Sequence, residues 1–244
     1  MISVCVATYN GSKYILEQVY SILQQLNQGD EIIVCDDNST DDTVMLINTI
    51  DDKRIKLHIN DKNIGHVRNF ERALGFARGD FVALSDQDDI WLPGRLLKMQ
   101  KILLSNPEIW LIASNFDLID NNSKVIGVFD SLNRVPYSRV ARIVGIFFGV
   151  IPYFGCTFFM TRELLHRSLP FPKKTEAHDI WLALLANTYG NTYHMIEPTL
   201  KRRIHGGNLT PRSRRNLTVI LASRLRLFID YLSLFLRPRY DGQT

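Results

Sequence analysis

The chain has 244 residues, 45% of them hydrophobic and 22% charged, and carries a net charge of +4. This excludes a disordered polymer and leaves room for one large domain, or one domain with an appended segment. Cys5, Cys35 and Cys156 are odd in number and lack metal-ligand spacing, which excludes a disulfide framework and marks them as reduced, buried thiols.

In chain order, residues 2–7 form an apolar run directly after Met1. They read as a first strand, too short and without the basic flank of a secretory signal, so a cytoplasmic location is expected. Further strand runs lie at 31–35, 55–59 and 81–84, with helical patterns at 12–26, 42–50, 66–77 and 93–104. Such alternation builds βαβ units and a mostly parallel sheet. Past residue 105 the pattern loosens. Residues 109–116 and 124–129 look like strands joined by a turn at Asn121-Asn122, 143–154 is an apolar run too short to span a membrane, and 177–187 reads as a helix. The run 217–236 is apolar but interrupted, with Ser223, Arg226, Asp230, Ser233 and Arg237 forming a polar stripe at helical spacing. It suits a helix lying in a membrane interface, or equally one docked on its own domain. Residues 201–240 hold ten of the 29 basic residues and one acid, Asp230, so this end can meet polyanions or an anionic membrane.

The strands end in polar clusters: Thr8-Tyr9-Asn10, Asp36-Asp37-Asn38-Ser39 and Ser85-Asp86-Gln87-Asp88-Asp89. In an open parallel sheet, ligands lie beyond the carboxyl ends of the strands, so the clusters should share one crevice. Crowded carboxylates at 86–89 suit Mg²⁺ or Mn²⁺, or else form an acidic turn capping the next helix. The 36–39 cluster can bond a ribose or base edge, and Ser39 or Thr40 can cap a helix. Asp179 in His178-Asp179-Ile180-Trp181 is either a desolvated general base or a simple helix-dipole acid. In Arg203-Ile204-His205-Gly206-Gly207-Asn208, His205 is a candidate metal ligand and Arg203 a phosphate partner; the alternative is a solvated loop.

Together with Asn63-Ile64-Gly65, these motifs resemble, in order and over about residues 1–210, the family 2 glycosyltransferases of the GT-A fold. The run 85–91 is similar to bacterial surface-polysaccharide rhamnosyl- and glucosyltransferases. The resemblance implies a GT-A domain over 1–210, with a nucleotide-binding half at 1–105 and an acceptor half at 106–210. A basic amphipathic helical extension at 211–244 would follow. It implies that Thr8, Tyr9, Asn10, Asp37, Asn63, Gly65, Asp86 and Arg203 hold the nucleotide sugar. Asp88 and His205 would hold Mn²⁺ or Mg²⁺, and Asp179 would deprotonate the acceptor. Many relatives have Glu-Asp where this chain has His178-Asp179, so the base is kept in a different environment.

The reaction implied is an inverting transfer of rhamnose, glucose or a similar hexose from a UDP- or dTDP-sugar to a glycan or polyprenyl-diphosphate-linked acceptor. The expected enzyme is peripheral on the inner membrane face through residues 212–240, without nucleic acid as a partner, and open to homodimerisation. Nucleotidyl transfer would require a Gly-rich phosphate loop after the first strand, which Thr8-Tyr9-Asn10-Gly11 does not supply. A non-catalytic phosphoacceptor module would require an acidic pair at the first strand. A dehydrogenase would require GxGxxG after a strand.

Overall fold

The computed structural model describes residues 1–136, 138–206 and 216–235. Strand β1 (Ile2–Thr8) is buried along its whole length, as a central strand covered on both faces must be. It pairs in parallel with β2 (Glu31–Asp36) and β4 (Phe81–Ser85), and β3 (Ile55–Ile59) extends the sheet beyond β2. Crossovers run through α1 (Ile15–Leu23), α2 (Thr43–Asn48) and α3 (His66–Phe76). With β6 (Ile109–Ser114), β9 (Phe159–Thr161) and β10 (Asn191–Met195) the sheet has the order β10-β6-β9-β4-β1-β2-β3. Only β9 runs antiparallel to its neighbours. The α/β class with a mostly parallel sheet is therefore the one expected from sequence.

A second sheet was not anticipated. It joins β5 (Ile90–Trp91), β11 (Leu200–Arg203), β7 (Phe116–Ile119) and β8 (Val125–Phe129) in that order. The run 109–116, expected as one strand, divides at Asn115 between the two sheets. Asn115 is 1% exposed; its amide donates to the Ile196 carbonyl (2.8 Å) and Asn133 Oδ1 (3.0 Å), and its oxygen accepts from Leu132 N (3.3 Å). These bonds satisfy a buried polar side chain that a strand core could not.

Expected helix starts shift slightly. Pro93 lies in a turn, and left-handed Gly94 (φ 79°) precedes α4 (Arg95–Ser105). Neither Ser39 nor Thr40 caps α2: its N-cap is Asp42, and the Asp41 carboxylate accepts from Thr43 N instead. The apolar run 143–154 closes α5 (Arg139–Phe148), which stops at left-handed Gly149 (φ 69°). After α6 (Arg162–Ser168), α7 (His178–Tyr189) is apolar on all sides and sits in the core with Trp181 and Leu182–Ala186 buried.

The final helix, α8 (Leu217–Leu234), docks on the domain, adding Leu227, Tyr231 and Leu234 to the core. Its polar stripe faces inward. Ser223 Oγ donates to Glu176 (2.8 Å), Arg226 pairs with Glu176, and Asp230 accepts from Thr175 Oγ1 at 3.5 Å. Of the two readings open from sequence, the helix docked on its own domain is the one seen, and the stripe meets protein groups. The apolar side points outward instead, with Leu221, Leu225, Ile229, Leu232 and Phe235 between 47 and 61% exposed. Val144 and Phe148 of α5 are exposed as well, and the neighbouring Phe147 ring meets Phe228 of α8 at 6.1 Å. Among the described residues no helix is long and apolar enough to cross a membrane. Arg212, Arg214 and Arg215 of the basic segment 201–240, Arg237 of the polar stripe, and Gly207 and Asn208 of the 203–208 motif lie outside the described residues.

Candidate functional site

The carboxyl ends of β1, β2 and β4 open onto one cavity of about 430 Å³. At the end of β1, Thr8 is buried and lines it, but its hydroxyl donates to Asp36 Oδ1 at 2.9 Å. Tyr9 is 46% exposed with its ring free to meet a ligand, while its backbone is held by Gln87. The Gln87 amide accepts from Tyr9 N (2.8 Å) and donates to Tyr9 O (3.1 Å), stitching β1 to the loop after β4. Gly11 leaves room for this; a Cβ there would lie 2.3 Å from Gln87 Oε1. Asn10 is absent from the cavity wall. It sits at φ 48° and accepts from Thr40 N (2.8 Å), so its expected ligand role becomes one of bracing the loop.

Asp37, at the end of β2, uses both oxygens. Oδ1 accepts from Asn60 Nδ2 and Ile64 N, and Oδ2 from Gly65 N, all at 2.8 Å. It thereby fixes the Asn63–Gly65 turn, where Gly65 takes φ 86°, so that Asn63 and Gly65 reach the cavity wall.

Beyond β4, Asp86 and Asp88 line the cavity with His205, and Asp88 Oδ2 lies 2.6 Å from His205 Nε2. Burial and then the charge of Asp86 push the Asp88 carboxyl up, and the His205 hydrogen bond opposes them. Carboxylates crowded in this way, with an imidazole and open space for phosphates, fit Mn²⁺ or Mg²⁺. Asp86, Asp89 and Cys156 also come within 4.8 Å of one another. That set fits poorly: Asp89 is 2% exposed and accepts from Arg203 N, and burial pushes the Cys156 thiol well up. A protonated thiol is no ligand for a hard cation.

Arg203 is corrected from phosphate partner to structural anchor. It is 1% exposed, pairs with Glu17 (2.6 Å), and donates to the carbonyls of Asp88 (2.9 Å) and Asp120 (3.0 Å). Its guanidinium lies over Tyr14. Among the described residues, its neighbour Arg202 is the arginine that lines the cavity wall. Burial works against the Arg202 charge, but surrounding anionic groups, Asp86 and Asp89 among them, outweigh it and hold the guanidinium charged. Sequence reasoning had missed Arg202 and Gln87; the signal for Arg202 was strand alternation, which sends adjacent side chains to opposite faces.

Asp179 closes the far side. It stands in the first turn of α7 and lines both this cavity and a second one of about 400 Å³. Its carboxyl is half-buried by surface area yet packed around by protein, and burial raises it to about 6. His178 beside it is stacked on Phe70 (4.3 Å) and pressed against Gly155, where a Cβ would come within 2.5 Å of Nε2. Burial, and then His66, hold His178 well below the usual histidine range, so the ring is neutral. The wall thus carries a carboxyl raised by burial, a carboxylate–imidazole pair beside Asp86 and a turn shaped by a carboxylate, drawn from separate segments of chain.

A family model described as glycosyl transferase family 2 matches residues 3–169. Among curated relatives, the Escherichia coli UDP-Glc:alpha-D-GlcNAc-diphosphoundecaprenol beta-1,3-glucosyltransferase WfgD is 33% identical over 187 residues, which cover 76% of this chain and 70% of that protein. The E. coli enzyme WfaP, described by the same reaction, is 28% identical over 86% of this chain and 80% of its own length. Among solved structures, S. aureus TarS 1–349 in complex with UDP-GlcNAc superposes with a TM-score of 0.75 at 21% identity, covering 98% of this chain and 68% of that one. The mannosyltransferase PcManGT from Pyrobaculum calidifontis, in complex with GDP-Man and Mn²⁺, gives 0.65 at 21% identity, over 100% of this chain and 65% of that one. At such identities the two structures bear on the fold alone.

Proposed function

The chain belongs to glycosyl transferase family 2, and from that premise we propose that it moves glucose from UDP to a hydroxyl of a lipid-linked acceptor sugar in surface-polysaccharide synthesis, with inversion at the anomeric carbon. The observation that carries this reading is that Asp37, Asp86, Asp88, His205 and Asp179 meet in the wall of one cavity although they come from distant segments. The two E. coli relatives favour UDP-glucose over a rhamnose or dTDP donor.

The roles follow from position. Tyr9 and the turn fixed by Asp37 receive the nucleoside. Arg202 stands where a diphosphate needs a counter-charge. Asp88 and His205 would hold Mn²⁺ or Mg²⁺, which when bound would neutralise the departing diphosphate, with Asp86 beside them on the sugar-nucleotide side. Asp179 accepts the proton of the acceptor hydroxyl as that oxygen forms the new bond and UDP leaves. A single carboxylate suffices because no covalent enzyme intermediate forms, and a carboxyl raised to about 6 is ionised at neutral pH yet more basic than an ordinary aspartate. Peripheral attachment to the cytoplasmic membrane face completes the reading, carried by the outward apolar side of α8 with Val144 and Phe148 of α5 and supported by the basic C-terminal segment.

The test is incubation with UDP-glucose, Mn²⁺ and a synthetic N-acetylglucosaminyl diphosphate lipid, following UDP release and the anomeric configuration of the product. A β-linked glucoside is expected. Failure to release UDP from any UDP-hexose, or release of pyrophosphate from a nucleoside triphosphate and a sugar phosphate, refutes the reading.

A further inference from the structure

Asp179 is shared between two cavities, and the second is not needed for a nucleotide sugar. It lies between the loop 149–154, the segment 174–180 and the inner side of α8. His66, Phe154 and His178 join Asp179 in lining both, so the two spaces adjoin at the base. A molecule entering from the second cavity meets the carboxylate from the side away from the acidic cluster.

The charged groups in this cleft are Lys174, Glu176, Asp179, Arg224, Arg226 and Asp230, beside the histidines His66 and His178. Glu176 is neutralised by Arg226 and also accepts from Ser223, and Asp230 accepts from Thr175. Arg224 and Lys174 differ: among the described residues neither makes an ion pair. Arg224 is half-buried, with the Nη2 end of its guanidinium against Gly149, where a Cβ would collide with it, and Nη1 donates to the Ile146 carbonyl at 3.3 Å. Left-handed Gly149 thus both ends α5 and makes the bed on which this fork rests. A half-buried guanidinium that has no ion-pair partner among the described residues is matched to a phosphate, which it can grip with two parallel hydrogen bonds.

We propose that this cleft binds the diphosphate of the lipid-linked acceptor, with Arg224 as its principal contact and Lys174 as a second, exposed counter-charge, while the acceptor sugar reaches Asp179. The inference rests on the transferase reading above and adds the site that reads the acceptor's charge. Asp179 stands where the cleft adjoins the first cavity and Arg224 comes from α8, which suits a molecule with its sugar at Asp179, its diphosphate at Arg224 and its lipid beside α8, whose outer face presents Leu221, Leu225 and Ile229 to the surroundings.

The experiment compares two short-chain probes by calorimetry on the full chain: an alkyl diphosphate of N-acetylglucosamine, and the uncharged alkyl N-acetylglucosaminide. UDP with Mn²⁺ is titrated separately as a check on fold and donor site. Arg224→Gln is expected to weaken the diphosphate probe about tenfold or more, the scale of one charge-assisted contact, with the uncharged probe within threefold and UDP unchanged. Lys174→Ala, at an exposed position that leaves the core intact, is expected to weaken the diphosphate probe by a smaller factor. The proposal is overturned if the wild-type protein prefers the uncharged probe, or if Arg224→Gln affects both probes equally. Loss of UDP binding in the wild-type protein instead defeats the transferase reading, and the comparison of the two probes still decides the fate of the cleft.

Discussion

Replacing Asp179 by asparagine separates catalysis from stability in opposite directions. The folded carboxyl titrates at about 6 against an ordinary value of 3.8, chiefly because burial penalises its charge. That difference is equivalent to about 3 kcal/mol at most, and to about 1–3 kcal/mol once water reaching the carboxyl through the two cavities is allowed for. A folded value raised above the unfolded one means that ionisation costs stability. The cost is absent below pH ~4, grows between ~4 and ~6, and is complete above ~6. Asp179→Asn should therefore be more stable than wild type at pH 8, by about 2–10 °C in Tm for a chain of this size, and no more stable at pH 4. Its turnover should fall about 10²-fold or more, with donor affinity kept. The wild-type kcat should rise through pH ~6 to a plateau, and the variant should lose that limb. Thermal scans at the two pH values and a pH profile of UDP release measure all three quantities. Turnover within a few-fold of wild type, or a variant less stable at pH 8, would refute the assignment of Asp179 as a desolvated base.

Asp88→Ala should abolish transfer and cation-dependent UDP binding while leaving Tm within a few degrees; wild-type rates in chelator-treated protein would count against the cation site. Arg203→Ala should lower stability by about 1–4 kcal/mol, because the Asp88 and Asp120 carbonyls lose a buried donor while Glu17, 46% exposed, is rehydrated, whereas Arg202→Ala should fold normally and weaken UDP binding. The opposite pattern in denaturant melts and UDP titrations would reverse the two roles. A double change, Leu225→Asp with Ile229→Asp, should abolish co-sedimentation with anionic vesicles and spare UDP affinity; unchanged sedimentation would rule out the α8 face as the attachment surface.

The parallel half of the fold was legible because its strands are buried on both faces and its helices follow at regular spacing, so periodicity and topology speak together. The polar strand ends were legible for the same reason: an open sheet puts them on one edge. At Asn115 this failed, since the apolar pattern on either side is the same whether one strand continues or two sheets meet. The buried asparagine itself was the only cue. Arg203 failed for a parity reason. Two adjacent arginines in a short strand point to opposite faces, and which one meets the cavity depends on a register that β7 and β5 set from elsewhere in the chain. The stripe on α8 was read correctly as a stripe, but amphipathicity does not say which side faces the protein when Glu176 and Thr175 stand ready to receive polar groups.

The seam at Asn115 has a consequence for the cation site. Asp88 follows β4 of the large sheet, and His205 follows β11 of the small one. Asp88 sits where β4 gives way to β5 of the small sheet, β5 pairs with β11, and Arg203, tied to the Asp88 backbone, pins that corner. The separation of Asp88 and His205 therefore depends on how β5 and β11 pair beyond the end of β4. Substitutions far from the cavity that alter this pairing would detune the site without touching any of its atoms.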